Sequence, residues 1–126
     1  MFSRKIINQR NGHIVASNFR QADTFFTRLK GLLGSSSLGT GHGLWIVPCK
    51  GVHTVGMRYA IDVIFVDKKH RIKKLVSDLK PYRFCRSAKG THSVIEVPVG
   101  TIDKSQLKRG DKLIIEDMGQ GDCYVS

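Results

Sequence analysis

The 126-residue sequence lacks the features that mark disulfide-bonded, zinc-binding and membrane proteins. Its three cysteines, Cys49, Cys85 and Cys123, are an odd number without Cys-x-x-Cys spacing, which argues against a disulfide framework or a zinc ribbon. No apolar stretch is long enough to cross a bilayer, and the N-terminus has no apolar run of signal-peptide length. We therefore expect a cytoplasmic protein without a membrane span.

Nucleotide- and RNA-binding signatures are missing as well. The glycine-rich segment 35–43, SSSLGTGHG, shows no G-x-G-x-x-G pattern after a strand and does not end in Gly-Lys-Ser/Thr, so a phosphate-binding loop is not supported. No RNP sequence, repeat or low-complexity tract is present. The length fits one globular domain over residues 1–126, which buries roughly two-thirds of its unfolded surface. We expect no cofactor and a monomeric chain.

Acidic residues are scarce: 10 Asp and Glu stand against 21 Lys and Arg, for a formal net charge of +11. The excess belongs to residues 1–90, with 17 basic and 4 acidic residues, whereas residues 91–126 hold 4 and 6. Such a field attracts RNA, DNA or anionic lipid and accelerates encounter with an acidic protein partner. The same charge also serves as a solubilising surface, so nucleic-acid binding is an alternative function here and not the first.

Two segments concentrate the features of that alternative. The turn 67–70 and the strand after it carry a basic tip, which also protects a sheet edge against aggregation. Residues 80–84, KPYRF, alternate basic and aromatic side chains, a pattern of single-stranded nucleic-acid sites because rings stack on bases and cations follow phosphates. The candidate contacts to nucleic acid are Lys68, Lys69, Arg71, Lys73, Lys74 and Arg83.

The hydrophobic pattern predicts a mainly β fold of about seven or eight short strands with one short α-helix near the N-terminus. Asn11-Gly12 predicts a tight opening hairpin. An apolar stripe of period 3.6 over residues 22–33 predicts the helix, and residues 101–107 are expected to form one helical or 3₁₀ turn. Because closure removes exposed sheet edges, we expect a compact closed barrel or a two-sheet sandwich. The strands are expected at 2–8, 13–19, 44–47, 51–57, 59–66, 71–78, 91–99 and 113–116.

Residues 41–67 hold the only Trp and the main candidate site. In the strand 61–66 one carboxylate, Asp62, lies among apolar residues, where it needs hydrogen-bond partners or stays protonated. A turn within 56–59 would make His53 and Asp62 cross-strand neighbours. Asp62 could instead be held by backbone N–H groups or by Arg58 in a purely structural network. We predict a non-enzymatic binding or interaction module, whose unknown small ligand contacts Trp45, His53, Thr54, Arg58 and Asp62.

The same stretch offers a hydrolase or a soft-metal site as further alternatives. Cys49, His53 and Asp62 could act as nucleophile, base and orienting carboxylate. Cys49, His53 and Met57 could together bind a soft ion such as Cu(I). On extended strands these three positions lie too far apart to meet at one ion, so Cys49 and Met57 are favoured as core residues. We predict no catalytic residue and no metal ligand.

A series of motifs resembles the domain of unknown function (DUF) 192 family in order and spacing. The resemblance spans about residues 22–115 and implies a compact, mainly β fold with a short helix. It implies no established reaction, cofactor or substrate. The matching positions are Ala22-Asp23-Thr24, Arg28, Gly31-Leu32-Leu33, Gly43-Leu44-Trp45, Pro48-Cys49, His53-Thr54, Met57-Arg58, the IDVIF run 61–65, the VIEV run 94–97, Gly100 and Gly110-Asp111.

Overall fold

The computed structural model describes residues 3–22, 41–47, 51–53 and 59–118. Within these ranges the chain forms ten β-strands and one short helix, arranged as three sheets. The strand order is β10-β1-β2 in the three-stranded sheet, β3-β4-β9-β6-β7 in the five-stranded sheet and β5-β8 in the two-stranded sheet. The elements are β1 (Ser3–Asn8), β2 (Ile14–Ala16), β3 (Asn18–Ala22), β4 (His42–Ile46), β5 (Gly51–His53), β6 (Ile61–Val66), β7 (Ile72–Leu79), β8 (Phe84–Arg86), β9 (Ser93–Pro98), α1 (Thr101–Lys104) and β10 (Leu113–Met118).

The five-stranded sheet is the middle layer of the protein. Side chains on one of its faces, including Ile64 and Ile95, pack with Ile6 of β1 in the three-stranded sheet. On the other face, Phe65 packs in a second cluster with Cys85 of the two-stranded sheet. Alternate residues of a strand point to opposite faces, so a strand covered on both sides must be apolar throughout. This arrangement explains why all six residues of β6 are buried.

Alternation within the apolar strands and the apolar stripe over residues 22–33 predict which residues form the core. The predicted core positions in the described part of the chain are confirmed. They have 1% or less of their surface exposed: Ile61, Val63, Phe65, Ile95 and Val97. Phe25, Phe26 and Leu29, which were also predicted as core, lie outside the described residues.

The predicted opening hairpin is confirmed, but its second strand is divided. β1 and β2 pair antiparallel around the turn that contains Gly12, whose φ of 76° is in the left-handed region that glycine tolerates. After Ser17 the chain leaves that sheet, and β3 pairs in parallel with β4. The carbonyl of Gly41 accepts the backbone N–H groups of both Ser17 and Asn18, at 2.8 and 3.1 Å. This contact fixes the point at which the chain passes between sheets.

Of the two architectures expected, the closed barrel is wrong for the described part of the chain. Its open sheets pack in layers as in the expected sandwich, but they number three instead of two. One open edge is protected by coverage. At the start of the edge strand β7, Ile72 exchanges backbone hydrogen bonds of 2.8 Å with Gly110 and Asp111 of a turn. Such coverage hinders the edge strand from pairing with another chain, as closure into a barrel would. The strands also number ten, against the seven or eight expected, because the 13–19 strand divides and β8 was not predicted.

Helical structure is limited to one described helix, α1, which confirms the helical turn predicted at 101–107. The helix predicted over residues 22–33 falls almost wholly on positions 23–40, outside the described residues. No helix within the described ranges is both long and apolar enough to cross a membrane.

Candidate functional site

The carboxylate of Asp62 is bound by backbone groups of the protein itself. Its Oδ1 accepts the N–H of Asp78 at 2.9 Å, and its Oδ2 accepts those of Gly100 and Ile102 at 3.1 and 3.0 Å. The residue is 1% exposed. Three N–H donors fill most of the acceptor capacity of a carboxylate, and the burial of Asp62 leaves a ligand little access to what remains. Asp62 on β6 therefore binds the start of α1 and the end of the neighbouring strand β7 through backbone N–H groups, as the structural alternative proposed.

The predicted hairpin that would make His53 and Asp62 neighbours is wrong. β6 is flanked by β7 and β9, so both of its edges are occupied, while β5 pairs with β8 and places His53 opposite Phe84. Sequence proximity favours a hairpin, but the pairing of β5 with a strand some thirty residues later overrides it. Two other predicted ligand contacts, Thr54 and Arg58, lie outside the described residues.

Trp45 lies on the same face of the middle sheet as Asp62 but on a different strand. Trp45 and Ile64 both pair with Ile95 of β9, one from each side, so by sheet geometry the Cα atoms of Trp45 and Asp62 are about 12 Å apart. Its indole N–H donates to the Ser93 hydroxyl at 2.9 Å, and its ring meets that of His70 edge-on with centroids 5.4 Å apart. The half-buried indole therefore packs against the hydrophobic core.

His70 beside Trp45 is a perturbed titratable group. Burial is the main cause that lowers its pKa, and the positive charge of Lys112 and the neighbouring His92 lower it further, against an opposing effect of Asp67. Its backbone φ is 66°, in the left-handed region that non-glycine residues seldom adopt. The environment favours the neutral imidazole.

The hydrolase and metal alternatives depend on residues that are only partly described. Cys49, Met57 and the side chain of His53 lie outside the described residues, whereas Cys85 is buried and unpaired. Within the described ranges, no three His, Cys, Asp or Glu side chains form a group that could hold a metal ion.

The basic tip is built on a turn held by Asp67. Oδ1 of Asp67 accepts the backbone N–H groups of Lys69 and Arg71 at 2.8 and 3.0 Å. Burial acts to raise the pKa of Asp67, but these hydrogen bonds and the charges of Lys73 and Arg71 outweigh it, so the pKa is lowered. The turn is therefore fixed by an ionised carboxylate, and the side chains of Lys68, Lys69 and Arg71 are exposed around it.

A contact between strands joins this tip to the basic and aromatic segment 80–86. Lys74 on β7 donates its Nζ to the carbonyl oxygen of Arg86 on β8 at 2.6 Å and lies 5.8 Å from the ring centroid of Phe65. The side chain of Lys74 therefore points toward β8, a contact that the neighbouring Lys73 does not make. The sequence suggested two separate segments, and the structure places them side by side.

Two aromatic rings stand in solvent on this same segment. Tyr82 and Phe84 are 69% and 68% exposed, and Arg83 and Arg86 are exposed beside them. On β8 the side chain of Cys85 is buried, so alternation directs Phe84 and Arg86 to the outer face.

A cavity of about 340 Å³ lies next to the tip, and we call it the basic pocket. Lys73, Lys89 and Arg109 line it together with Ile72, Ala88 and Gly110. No acidic side chain is among these lining residues. Of the three cations, only Lys73 was predicted as a contact, because Lys89 and Arg109 lie in turns that are far apart in the sequence.

The acidic group nearest in sequence to Arg109 is turned away into a separate network. Asp111, which is 8% exposed, accepts hydrogen bonds from Arg10 Nε at 2.8 Å, Asn8 Nδ2 at 3.0 Å and the Lys108 backbone N–H at 3.0 Å. Burial acts to raise the pKa of Asp111, but the bonds from Arg10, Asn8 and Lys108 outweigh it and lower the pKa. The charge of this carboxylate is therefore neutralised by Arg10 and not by the cations of the basic pocket.

These features define a class of protein: a small β domain of stacked sheets with a basic edge and exposed aromatic rings. The family model DUF192, described as an uncharacterized ACR, matches residues 6–115, and the chain belongs to that family. The resemblance found over residues 22–115 of the sequence is thereby confirmed.

Curated relatives are archaeal proteins that bear the name UPF0127. That of Thermococcus sibiricus is 31% identical over 113 residues, covering 86% of this chain and 72% of the relative. That of Pyrococcus furiosus is 29% identical over 113 residues, covering 86% of this chain and 95% of the relative.

Two solved structures share the fold. One is a protein of unknown function from Novosphingobium aromaticivorans, with a TM-score of 0.74, 22% identity and coverage of 89% of this chain and 83% of the other. The second, from Sinorhizobium meliloti, is provisionally described as a transcription regulator and has a TM-score of 0.75, 18% identity and coverage of 90% and 93%. At these identities the likeness concerns the fold alone.

Proposed function

We propose that this protein is a single-stranded nucleic-acid-binding domain, in which bases stack on Tyr82 and Phe84 while phosphates contact the basic pocket. The observation that carries the proposal is the pair of exposed rings on a segment joined to the basic strand β7 by the contact between Lys74 and Arg86.

The rings are positioned for stacking and not for packing. A single exposed apolar side chain is ordinary in a soluble protein and needs no explanation. Two rings within three residues, each about two-thirds exposed and flanked by arginines, form an apolar surface with cations beside it. Bases stack on such rings with a gain of about 1–3 kcal/mol each, largely independent of sequence.

The charges lie where the backbone of a bound strand would pass. Ala88, which lines the basic pocket, follows Arg86 by two residues, so rings and pocket occupy the two ends of one short segment. A strand whose bases lie on Tyr82 and Phe84 can therefore place nearby phosphates against Lys73, Lys89 and Arg109. Each neutralised phosphate releases counterions, which adds affinity and makes it depend on salt.

The proposal replaces the first expectation because of Asp62. Its carboxylate is occupied by three backbone N–H groups, so the polar group that the predicted ligand site relied on most has its partners already. Ligand binding at Trp45, His53, Thr54 and Arg58 stays a prediction. The cytoplasmic location and the monomeric state likewise stay predictions.

The test is fluorescence anisotropy with a labelled short single-stranded RNA and with duplex DNA over a range of salt concentrations. We expect the single strand to bind more tightly and log K to fall with log salt by about 0.7 per phosphate contacted. Phe84→Ala should weaken binding about 5- to 150-fold, the loss of one stacked base. Ile14→Ala, which truncates another exposed apolar residue, is the matched control and should leave the affinity unchanged.

Lys89→Gln should weaken binding and reduce the salt slope by about 0.7, because one phosphate contact is lost. Lys104→Gln, on α1 and outside the basic pocket, controls for the loss of one charge. Equal affinity of the Phe84→Ala and Ile14→Ala variants would contradict stacking. Affinity no greater than that of an unrelated protein of similar charge would reduce the basic face to a solubilising surface.

A further inference from the structure

We infer that the basic pocket is a site for a terminal phosphate monoester, the phosphorylated end of a bound single strand. The inference rests on the proposed function and adds to it a preference for one kind of nucleic-acid end. It follows from the convergence of Lys73, Lys89 and Arg109 on one cavity of about 340 Å³.

The chain is arranged to bring Lys73 to this cavity. On β7, Lys74 is opposite Phe65 and Ile72 is opposite Val66, so Lys73 is the extra residue of a β-bulge. A bulge redirects a side chain relative to its strand. The side chain of Lys73 then passes Gly90, where a Cβ atom would be in ordinary van der Waals contact with Lys73 Cε, at 3.5 Å. Lys73 therefore lies against the turn that carries Lys89.

The other two cations are carried by hydrogen-bonded turns. Arg109 belongs to a turn in which Asp111 N–H donates to the Lys108 carbonyl at 3.0 Å. Lys89 belongs to a turn in which the backbone N–H and the hydroxyl of Thr91 donate to the Ala88 carbonyl at 3.2 and 2.7 Å. Turns held in this way reduce the ordering cost of binding, because the backbone that carries each cation is already fixed.

The charge of the pocket matches a monoester better than a phosphodiester. Within the described part of the chain, none of the three cations makes an ion pair or a side-chain hydrogen bond. Asp67 is the acidic group whose charge acts on Lys73, and counting it leaves an excess of two positive charges, three minus one. A phosphodiester carries one negative charge, whereas a phosphate monoester carries about −1.5 to −2 at neutral pH.

The size of the pocket is consistent with that ligand. Its volume of about 340 Å³ is an order of magnitude larger than the share of one water molecule in liquid water, about 30 Å³. A phosphate group with part of its nucleotide therefore fits. At physiological ionic strength the screening length of about 8 Å limits the preference to a phosphate that enters the pocket itself.

The experiment compares one short single-stranded RNA in three forms: with a 5′ phosphate, with a 3′ phosphate and with hydroxyls at both ends. Anisotropy titration at physiological salt should show one phosphorylated form binding at least about fivefold more tightly than the hydroxyl form. Arg109→Gln should weaken binding of all forms and bring that ratio close to one. Lys104→Gln should leave both the affinities and the ratio unchanged.

The outcomes separate the two proposals. Tight binding of all three forms with equal affinity would overturn the inference and leave the proposed function standing. Absence of binding to every form would overturn both. A preference that persists undiminished in both Arg109→Gln and Lys89→Gln, each shown to be folded by thermal melting, would place the phosphate elsewhere and overturn the assignment of this pocket.

Discussion

Replacement of Asp62 by asparagine tests whether this carboxylate is structural. The substitution preserves shape but turns one acceptor oxygen into a donor NH2 group. If the remaining oxygen keeps the N–H groups of Gly100 and Ile102, the new amide faces the N–H of Asp78, which loses its bond of 2.9 Å. Donor then meets donor at a site that is 1% exposed.

The magnitude follows from counting these bonds. One partly buried N–H left without an acceptor costs about 1–3 kcal/mol, and the two retained bonds each weaken by about 1 kcal/mol on changing from a charged to a neutral acceptor. Relief from burying the charge offsets part of this loss. We expect the free energy of unfolding to fall by about 2–4 kcal/mol, and the melting temperature by roughly 8–16 °C for a domain of this size.

Thermal melts by circular dichroism and urea titrations of both proteins measure the change, with an unaltered urea m value showing that the unfolding process is the same. Asp103→Asn is the matched control, because it removes the same charge from an exposed position on α1 and should change stability by less than about 0.5 kcal/mol. A decrease for Asp62→Asn no larger than that of Asp103→Asn would refute the structural role. Retained stability with loss of ligand binding would instead support the ligand site predicted from sequence.

Two further predictions concern the core and the pH dependence of stability. Phe65→Ala, at a fully buried ring, should lower the free energy of unfolding by about 3–5 kcal/mol. Phe84→Ala, the same truncation of an exposed ring, should cost less than about 1 kcal/mol, and similar costs for the two in urea titrations would contradict the packing described. Burial, Lys112 and His92 lower the pKa of His70 below its ordinary 6.5, so the unfolded state binds more protons just below that pH, and stability should decline as pH falls through it. Asparagine tolerates the φ of 66°, so His70→Asn should make the melting temperature depend less on pH between about pH 7.5 and 5. An unchanged dependence of the melting temperature on pH would exclude His70 as the cause.

Local patterns predicted the strands that are buried on two sides. In β6 the apolar run 61–66 specified burial of both faces, and the lone Asp62 within it specified a set of hydrogen-bond partners. These inferences hold because alternation and the cost of a buried charge depend on the strand itself. What the run could not specify was the donors, since Gly100 and Ile102 lie some forty residues away.

The pairing of β5 with β8 and the basic pocket could not be predicted from the sequence, because both depend on segments that are far apart in the chain. The pairing of β5 with β8 joins distant segments, and β8 has only three residues of which two are exposed, so neither length nor alternation marks it as a strand. Lys73, Lys89 and Arg109 meet only because the turn of Gly110 hydrogen-bonds to Ile72 on β7. The basic tip, which the sequence suggested was one surface, also divides into two parts. Lys74 points toward β8, whereas Lys73 lines the basic pocket.

The hydrogen bonding of Asp62 and Asp67 helps to explain why positive charge remains at the surface. Asp62 and Asp67 both accept hydrogen bonds from backbone N–H groups, whereas Asp111 also accepts one from an arginine side chain, that of Arg10. Carboxylates stabilised by N–H dipoles need no lysine or arginine as counter-ion. Lys89 and Arg109 of the basic pocket are therefore not needed as counter-ions of these carboxylates, and they contribute to a field that acts on an approaching polyanion. Because that field originates from side chains with no structural partner among the described residues, Lys89 and Arg109 are the positions where charge removal should reduce binding while leaving the melting temperature unchanged.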